Sequence, residues 1–331
     1  MSKPADTLAV VALNLGGPDG PESVEPFLRN LFADPDVVQL GWLRPLQPLI
    51  ARFMARRRAP VSRAAYQQIG GRSPILAEST DQASAIAAEL RRRGHAALPF
   101  VAMACWKPFS GDAVAAMRAV GIQRAIAVPL YPHRSITTTG SSLRALDRAV
   151  AGTRVQVAPV PSYPDAPGLI QALGDRIQDA IATLPEALRA TAPVIFSAHG
   201  LPEAYIRKGD PYLDQIRITV NAVTRHLRLH DGRQQLGFQS RLGRKRWLGP
   251  NTEDLLDQLA DAGNKSVVIC PVAFTGEHIE TLQEIDILYR ERAHRRGITH
   301  FARARTVGTH PAFVSALADL AEGAARARGW A

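Results

Sequence analysis

The sequence predicts an α/β fold of two doubly wound lobes, each built on a four-stranded parallel sheet, with a cleft between them. Three observations predict it. Apolar runs of strand length recur, each followed by turn residues and then by a segment of helical period. The runs are apolar on both faces, as strands are when helices cover a parallel sheet from both sides. The pattern also passes through twice, four runs per half, with a proline-rich join at Pro159, Pro161, Pro164 and Pro167.

Taken in order, the first lobe spans residues 1–163, with runs Leu8 to Leu15, Leu98 to Cys105, Ala125 to Tyr131 and Val155 to Val160. Within it, residues 37–60 (VVQLGWLRPLQPLIARFMARRRAP) carry Val38, Leu40, Trp42, Leu43, Leu46, Leu49, Ile50, Phe53 and Met54, followed at once by Arg56, Arg57 and Arg58. This apolar stripe is too short to span a bilayer. It reads either as a lip that touches a membrane or grips a ligand, or as an ordinary core helix. The second lobe spans 164–307, with runs Val194 to Ser197, Leu236 to Gln239, Val267 to Val272 and Phe301 to Val307. One of its helices shows the stripe Leu213, Ile216, Val220, Val223, Leu227, and another starts at Thr252 as N-cap and stops at Gly263. Residues 308–331 predict a last helix that packs back on the first lobe.

The chain has 331 residues, 46% hydrophobic and 21% charged, a balance that excludes disorder, collagen and coiled coil. Its net charge is 40 − 30 = +10, mostly from scattered arginines, and aromatics are only 6%. Basic segments interleaved with aromatics are absent, so a nucleic-acid partner is not expected. No transmembrane run or cleavable leader is evident, and a cytoplasmic location is expected, with peripheral contact at the inner membrane face through the lip. The two cysteines, Cys105 and Cys270, sit in apolar runs and cannot build a zinc ribbon or a four-cysteine cluster.

Function in doubly wound folds sits at the carboxyl ends of strands. After the first run, Asn14-Leu15-Gly16-Gly17-Pro18-Asp19-Gly20 fits neither dinucleotide nor Walker patterns, and Pro18 removes a backbone donor from any phosphate cradle. Ile69 to Pro74 and Thr137 to Ser142 read as turn-rich loops. After the fifth run, Ser197-Ala198-His199-Gly200-Leu201-Pro202 puts His199 at a strand end, where it reads as a base, a metal ligand or a hydrogen-bonded structural histidine. After the seventh, if the segment is helical, Glu277, Glu280 and Glu284 fall at i, i+3 and i+7 on one face. Such a row handles cations or protons, or is a solvated acidic face. An imidazole and a carboxylate suit Fe²⁺, and two ligands leave coordination positions open for a metal in transit. A resident zinc has no H-E-x-x-H here, and G-x-S-x-G is absent.

These segments, in this order, resemble the ferrochelatase family, and the resemblance covers nearly the whole chain. The matching motifs are ALNLGGPDGPESVEPFLRNLFADPDVV, YQQIGGRSPI, PLYPHRSITTTGSS, SAHGLP, GDPY (Gly209 to Tyr212), FQSR with WLGPNT, and HIETLQEID. The resemblance implies two Rossmann-like, chelatase-like lobes around a porphyrin cleft, and a lyase that inserts Fe²⁺ into protoporphyrin IX to give protohaem with release of two protons. It implies that His199 and Glu280 are the catalytic and metal-handling pair, and that Glu277, His278 and Glu284 form a proton or metal path. Trp42, Phe53, Tyr131 and Trp247 are the expected ring contacts, and Arg29, Arg72 and Arg134 the expected partners of the propionates. No resident cofactor is implied, iron being a substrate; an iron–sulfur cluster is not expected, because the tail after Gly308 has no cysteine.

The chain also departs from the family pattern. Ala104-Cys105 stands where many relatives have Arg-Tyr, His133-Arg134 where Gln-Tyr is usual, Arg72 for a glycine and Glu277 for an aspartate, and Gly243 to Trp247 is unusually basic. Two other readings follow: a coproporphyrin ferrochelatase, which the extra arginines favour, and a porphyrin or haem carrier without catalysis.

Overall fold

The computed structural model describes residues 6–330 except 231, 242, 244 and 245; Arg244 and Lys245 of the basic run therefore lie outside the described residues. Eight strands form two four-stranded parallel sheets. β1 (Leu8–Asn14), β2 (Ala97–Met103), β3 (Arg124–Pro129) and β4 (Gln156–Pro159) stand in the order β2-β1-β3-β4. β5 (Val194–His199), β6 (Gln234–Gln239), β7 (Ser266–Cys270) and β8 (His300–Arg303) repeat that order as β6-β5-β7-β8. Each of the eight apolar runs is thus a strand. The central ones are buried along their whole length in β1 and β7, because helices cover both faces. In each sheet the chain leaves the first strand for one side and returns for the other, so the switch point lies between β1 and β3, and again between β5 and β7.

Contacts divide the chain into two units, Met1–Ser162 with Val314–Ala331, and Tyr163–Phe313. In the first, Leu13, Met117, Ile122 and Leu146 pack a core on one sheet face. Helix Ile75–Arg92 buries Ile75, Ser79, Gln82, Ala83, Ile86 and Leu90, an i, i+4, i+7 stripe. From Val314 onward helix Pro311–Arg326 belongs to this unit, held by Arg93, whose guanidinium reaches Asp319 at 2.5 Å and Ser315 Oγ at 2.9 Å. In the second unit Leu256, Ile269, Ile285 and Tyr289 form the corresponding core.

Two local expectations change. Thr252 is the first residue of helix Thr252–Asp261, not its cap: Asn251 holds that place with extended backbone, and Thr252 turns its hydroxyl inward to Ser197 at 2.8 Å. At the other end Gly263, at φ +84°, takes the left-handed position that stops the helix. The lip is also not an ordinary core helix. Helix Gln47–Gln67 buries Ala51, Ala55 and Ala59, small side chains that allow close approach to helix Val24–Ala33, together with Gln47 and Tyr66 at its ends, and turns Leu49 and Phe53 outward. Trp42 is 87% exposed, Leu49 68%, Phe53 63% and Leu46 48%. No helix among the described residues is long and apolar enough to cross a membrane.

Candidate functional site

The second unit's switch point brings together two groups that lie 81 residues apart in sequence. His199 is the last residue of β5, and its Nδ1 lies 2.9 Å from Glu280 Oε2. His278 Nε2 approaches the same oxygen at 3.9 Å. The His199 side chain is 37% exposed, that of Glu280 25% and that of His278 13%.

His199 is fixed from several sides. Tyr212, opening helix Tyr212–His226, donates its hydroxyl to the His199 carbonyl at 2.9 Å, while Asp210 Oδ1 accepts the Tyr212 N–H. The Gly-Asp-Pro-Tyr motif therefore caps a helix and ties down the strand end. Gly200 is needed for space: a Cβ there would lie 3.0 Å from the Gln239 carbonyl and 3.3 Å from the Trp247 ring. Trp247 is held against this turn by pairing with Pro202 and by the Leu248 N–H to Leu201 O bond at 2.8 Å.

Glu280 opens a ten-residue π-helix, Glu280–Tyr289, which the 3.6-residue period did not foresee. With i→i+5 bonding, Glu280 and Glu284 share a face, but Glu277 does not join them. It precedes the helix, and its Oε1 accepts from Arg303 Nη1 at 3.0 Å and from the Thr306 N–H at 3.0 Å. The expected row of three carboxylates is thus two, because the third is neutralised by a buried arginine. Glu284 is anchored as well: Ser240 N–H at 2.9 Å, Ser240 Oγ at 2.5 Å, Gln239 Nε2 at 3.2 Å and Tyr289 OH at 2.9 Å all donate to it. Gln239 also accepts from Ser197 Oγ at 2.7 Å and donates to the Glu280 carbonyl at 3.1 Å. β5, β6 and the π-helix therefore share one polar network directly beneath the His199–Glu280 pair.

The charges follow from this packing. Burial opposes ionisation of Glu280, yet the adjacent His199 charge holds its carboxyl down to about 2. Burial alone would lower His199, but the charge and hydrogen bond of Glu280 carry it above its ordinary value. Burial, and then the Glu280 charge, raise Glu284. Burial lowers His278, so it stays neutral beside the pair. For Glu277 burial is outweighed by Arg303, which keeps the carboxylate ionised.

The other expected contacts lie in the first unit, apart from Trp247. Trp42 and Phe53 are on the exposed lip, and Arg29, Arg72 and Arg134 are exposed side chains. The Tyr131 hydroxyl is enclosed, as is the hydroxyl of Ser142. Ala104 and Cys105 extend the β1–β2 pairing, their N–H groups reaching Asn14 O at 2.9 Å and Leu15 O at 2.8 Å, with Cys105 buried. Sequence reasoning had not singled out Gln239, Ser240, Tyr212, Tyr289 or Arg303. The first two stand inside the quoted FQSR motif and Tyr212 inside GDPY. The left-handed φ of Ser240, +64°, leaves no sequence signal.

Comparison with known proteins gives a consistent result. The family model described as Ferrochelatase matches residues 7–325. A Geotalea daltonii protein named Ferrochelatase is 43% identical over 318 residues, covering 96% of this chain and 97% of its own. One from Geotalea uraniireducens is 45% identical over 314 residues, covering 94% and 96%. Among solved structures, SirB from Bacillus subtilis with Fe3+ superimposes with a TM-score of 0.57 at 12% identity over 98% of both chains. CbiX, described as the terminal enzyme for biosynthesis of sirohaem in denitrifying bacteria, does so with 0.50 at 15% identity, over 96% of this chain and 98% of its own. These two share the fold.

Proposed function

The chain belongs to the ferrochelatase family, and from that premise we propose that the His199–Glu280 pair carries the chemistry. The activity is that of the family, a metal chelatase of the lyase class in haem biosynthesis. The substrates are Fe²⁺ and protoporphyrin IX, and the products protohaem and two protons. The observation that carries the reading is the 2.9 Å contact between His199 Nδ1 and Glu280 Oε2 at a switch point.

In its neutral form, with Nδ1–H directed at Glu280, His199 presents the Nε2 lone pair to the open side. A free-base porphyrin must lose two pyrrole protons as iron enters. His199 Nε2 takes the first, and the anionic Glu280 stabilises the imidazolium that forms. Glu280 and neutral His278 then serve the incoming metal or pass protons on. Glu284, raised toward protonation and sharing Gln239 with the Glu280 backbone, is the next station. Glu277, committed to Arg303, supports the path without relaying along it. Trp247, on the His199 turn, is the candidate ring contact of the second unit, and Trp42, Phe53 and Tyr131 are those of the first. Exposed Arg29, Arg72 and Arg134 meet propionates. No resident cluster is expected, two cysteines being too few to ligate one; both are buried, one in each unit, and burial pushes the Cys270 thiol up to about 12.

The exposed stripe Trp42, Leu46, Leu49, Phe53, flanked by Arg52, Arg56 and Arg57, fits a peripheral contact with an anionic membrane surface from the cytoplasmic side. Sedimentation with anionic but not neutral liposomes at low salt is the expected result; no sedimentation abandons this point.

The deciding experiment mixes purified protein anaerobically with Fe²⁺ and either protoporphyrin or coproporphyrin, with His199→Ala alongside, and follows free-base bands giving way to metalloporphyrin bands. Conversion of protoporphyrin by wild type and not by the variant is expected. Preferential conversion of coproporphyrin, whose four carboxylates would use Arg29, Arg72 and Arg134, replaces the substrate. Binding without conversion makes the protein a carrier.

A further inference from the structure

We propose that Arg303 is a positioning residue for metal insertion: from the end of β8 it clamps both flanks of the segment that carries His278, Glu280 and Glu284. This rests on the reading of His199 and Glu280 given above. The Arg303 side chain is only 8% exposed. Its Nη1 reaches Glu277 Oε1 at 3.0 Å, before the π-helix, and its Nε reaches Asp286 Oδ2 at 2.7 Å, within it. Nη1 also meets the Ala304 carbonyl at 3.2 Å. The partners are themselves fixed. Thr306 N–H donates to Glu277 Oε1, and Arg290 Nη2 donates to Asp286 Oδ1 at 3.1 Å while its Nη1 holds the Phe301 carbonyl at 2.8 Å.

A buried guanidinium between two carboxylates costs desolvation, and replacing such a triad by apolar residues is often neutral for stability. Its benefit here is geometric. A π-helix is a rare backbone that persists where its surroundings hold it, and this one spans ten residues. The clamp grips three residues before Glu280 and two residues after Glu284, so the metal-handling carboxylates have little freedom to slide along the helix axis. Arg303 touches neither His199 nor Glu280, and its effect on chemistry passes through the backbone between Glu277 and Asp286.

The test compares full-length wild type with Arg303→Met and Arg303→Lys, measuring kcat and KM for porphyrin under anaerobic conditions and normalising to folded protein by porphyrin-binding stoichiometry. The expected result is a fall in kcat of about 10- to 100-fold in Arg303→Met, with KM for porphyrin within about twofold and part of the rate restored in Arg303→Lys. If Arg303→Met does not fold, Asp286→Asn takes its place with the same expectation. A kcat per folded molecule within about twofold of wild type, or a loss of kcat matched by a rise in KM, overturns the proposal. His199→Ala in the same series separates the two ideas. An active His199→Ala removes the underlying reading, whereas an inactive His199→Ala beside an undiminished Arg303→Met removes only the clamp.

Discussion

The two units share one topology and, at their switch points, one backbone device, yet the chemistry placed there differs. In each, the segment after the third strand forms a π-helical stretch before the next helix: Ile136–Gly140 in the first unit, Glu280–Tyr289 in the second. The first stretch carries Thr137, Thr138 and Thr139 and the second carries Glu280 and Glu284. The strand that opens each sheet ends in Asn14 in one case and His199 in the other. Asn14 is buried and spent on structure, its Nδ2 donating to Ser79 Oγ at 3.0 Å and its Oδ1 accepting the Leu15 N–H at 2.8 Å. In the first unit His133 is buried, and burial holds it down to about 3. At the same fold position the second unit sets an imidazole against a carboxylate, where the first sets an amide against a hydroxyl.

The largest expected break in this contrast is His199→Ala. It removes the imidazole that faces Glu280, and metallation falls by about 10²- to 10⁴-fold with porphyrin binding retained, as read by visible spectroscopy and fluorescence quenching. Glu280→Gln follows, with a loss of about 10²-fold and a shifted pH profile. Glu280 raises the His199 pKa, and His199 is a base only when neutral, so the wild-type rate climbs with pH through that raised value. Without the carboxylate's charge the climb moves to lower pH; an unmoved acidic limb would show that another group sets it. The pair's stabilisation has its own window. The Glu280 share is present above its ordinary 4.5 and lost as pH falls toward about 2, and the His199 share is present below its ordinary 6.5 and lost as pH rises through the raised value. Thermal unfolding of His199→Ala should therefore differ from wild type most between pH 5 and 6.

Smaller effects sharpen the same contrast. Gly200→Ala forces a Cβ against the Gln239 carbonyl and should cost about 1–3 kcal/mol in denaturant unfolding, with turnover down about tenfold as His199 shifts. Asn14→Ala at the equivalent place in the first unit should cost about 1–2 kcal/mol but leave turnover per folded molecule within about twofold. Leu49→Ser on the lip should leave turnover unchanged within error and reduce partitioning to anionic vesicles several-fold; undiminished partitioning would move the contact elsewhere.

The eight strands, the lip and the His199 and Glu280 positions were legible because each is written in local apolar pattern or in a motif at a strand end. The arrangement around Glu280 was not. Helical spacing at 3.6 residues per turn put Glu277 in line with Glu280, whereas the π-helix starts after Glu277 and pairs Glu280 with Glu284 instead. Arg303 comes 26 residues after Glu277, on another strand, and no local pattern joins them. Trp42, Leu49 and Phe53 looked like one stripe with Leu43 and Ile50. Only the packing of Ala51, Ala55 and Ala59 against the preceding helix shows which side faces out.

At the rim of the first sheet, β2 is an edge strand with Pro99 as its third residue. Leu8 N–H donates to Ala96 O, so in the alternating ladder residues 97, 99 and 101 turn their backbone groups to the open side. Proline has no N–H to offer there, which interrupts the row of donors that another extended chain would use as a template. A catalyst rich in buried parallel strand thereby keeps its exposed edge poor at self-association, and Pro99→Val should turn a well-behaved protein into one that aggregates as its concentration rises, with turnover per folded molecule unchanged.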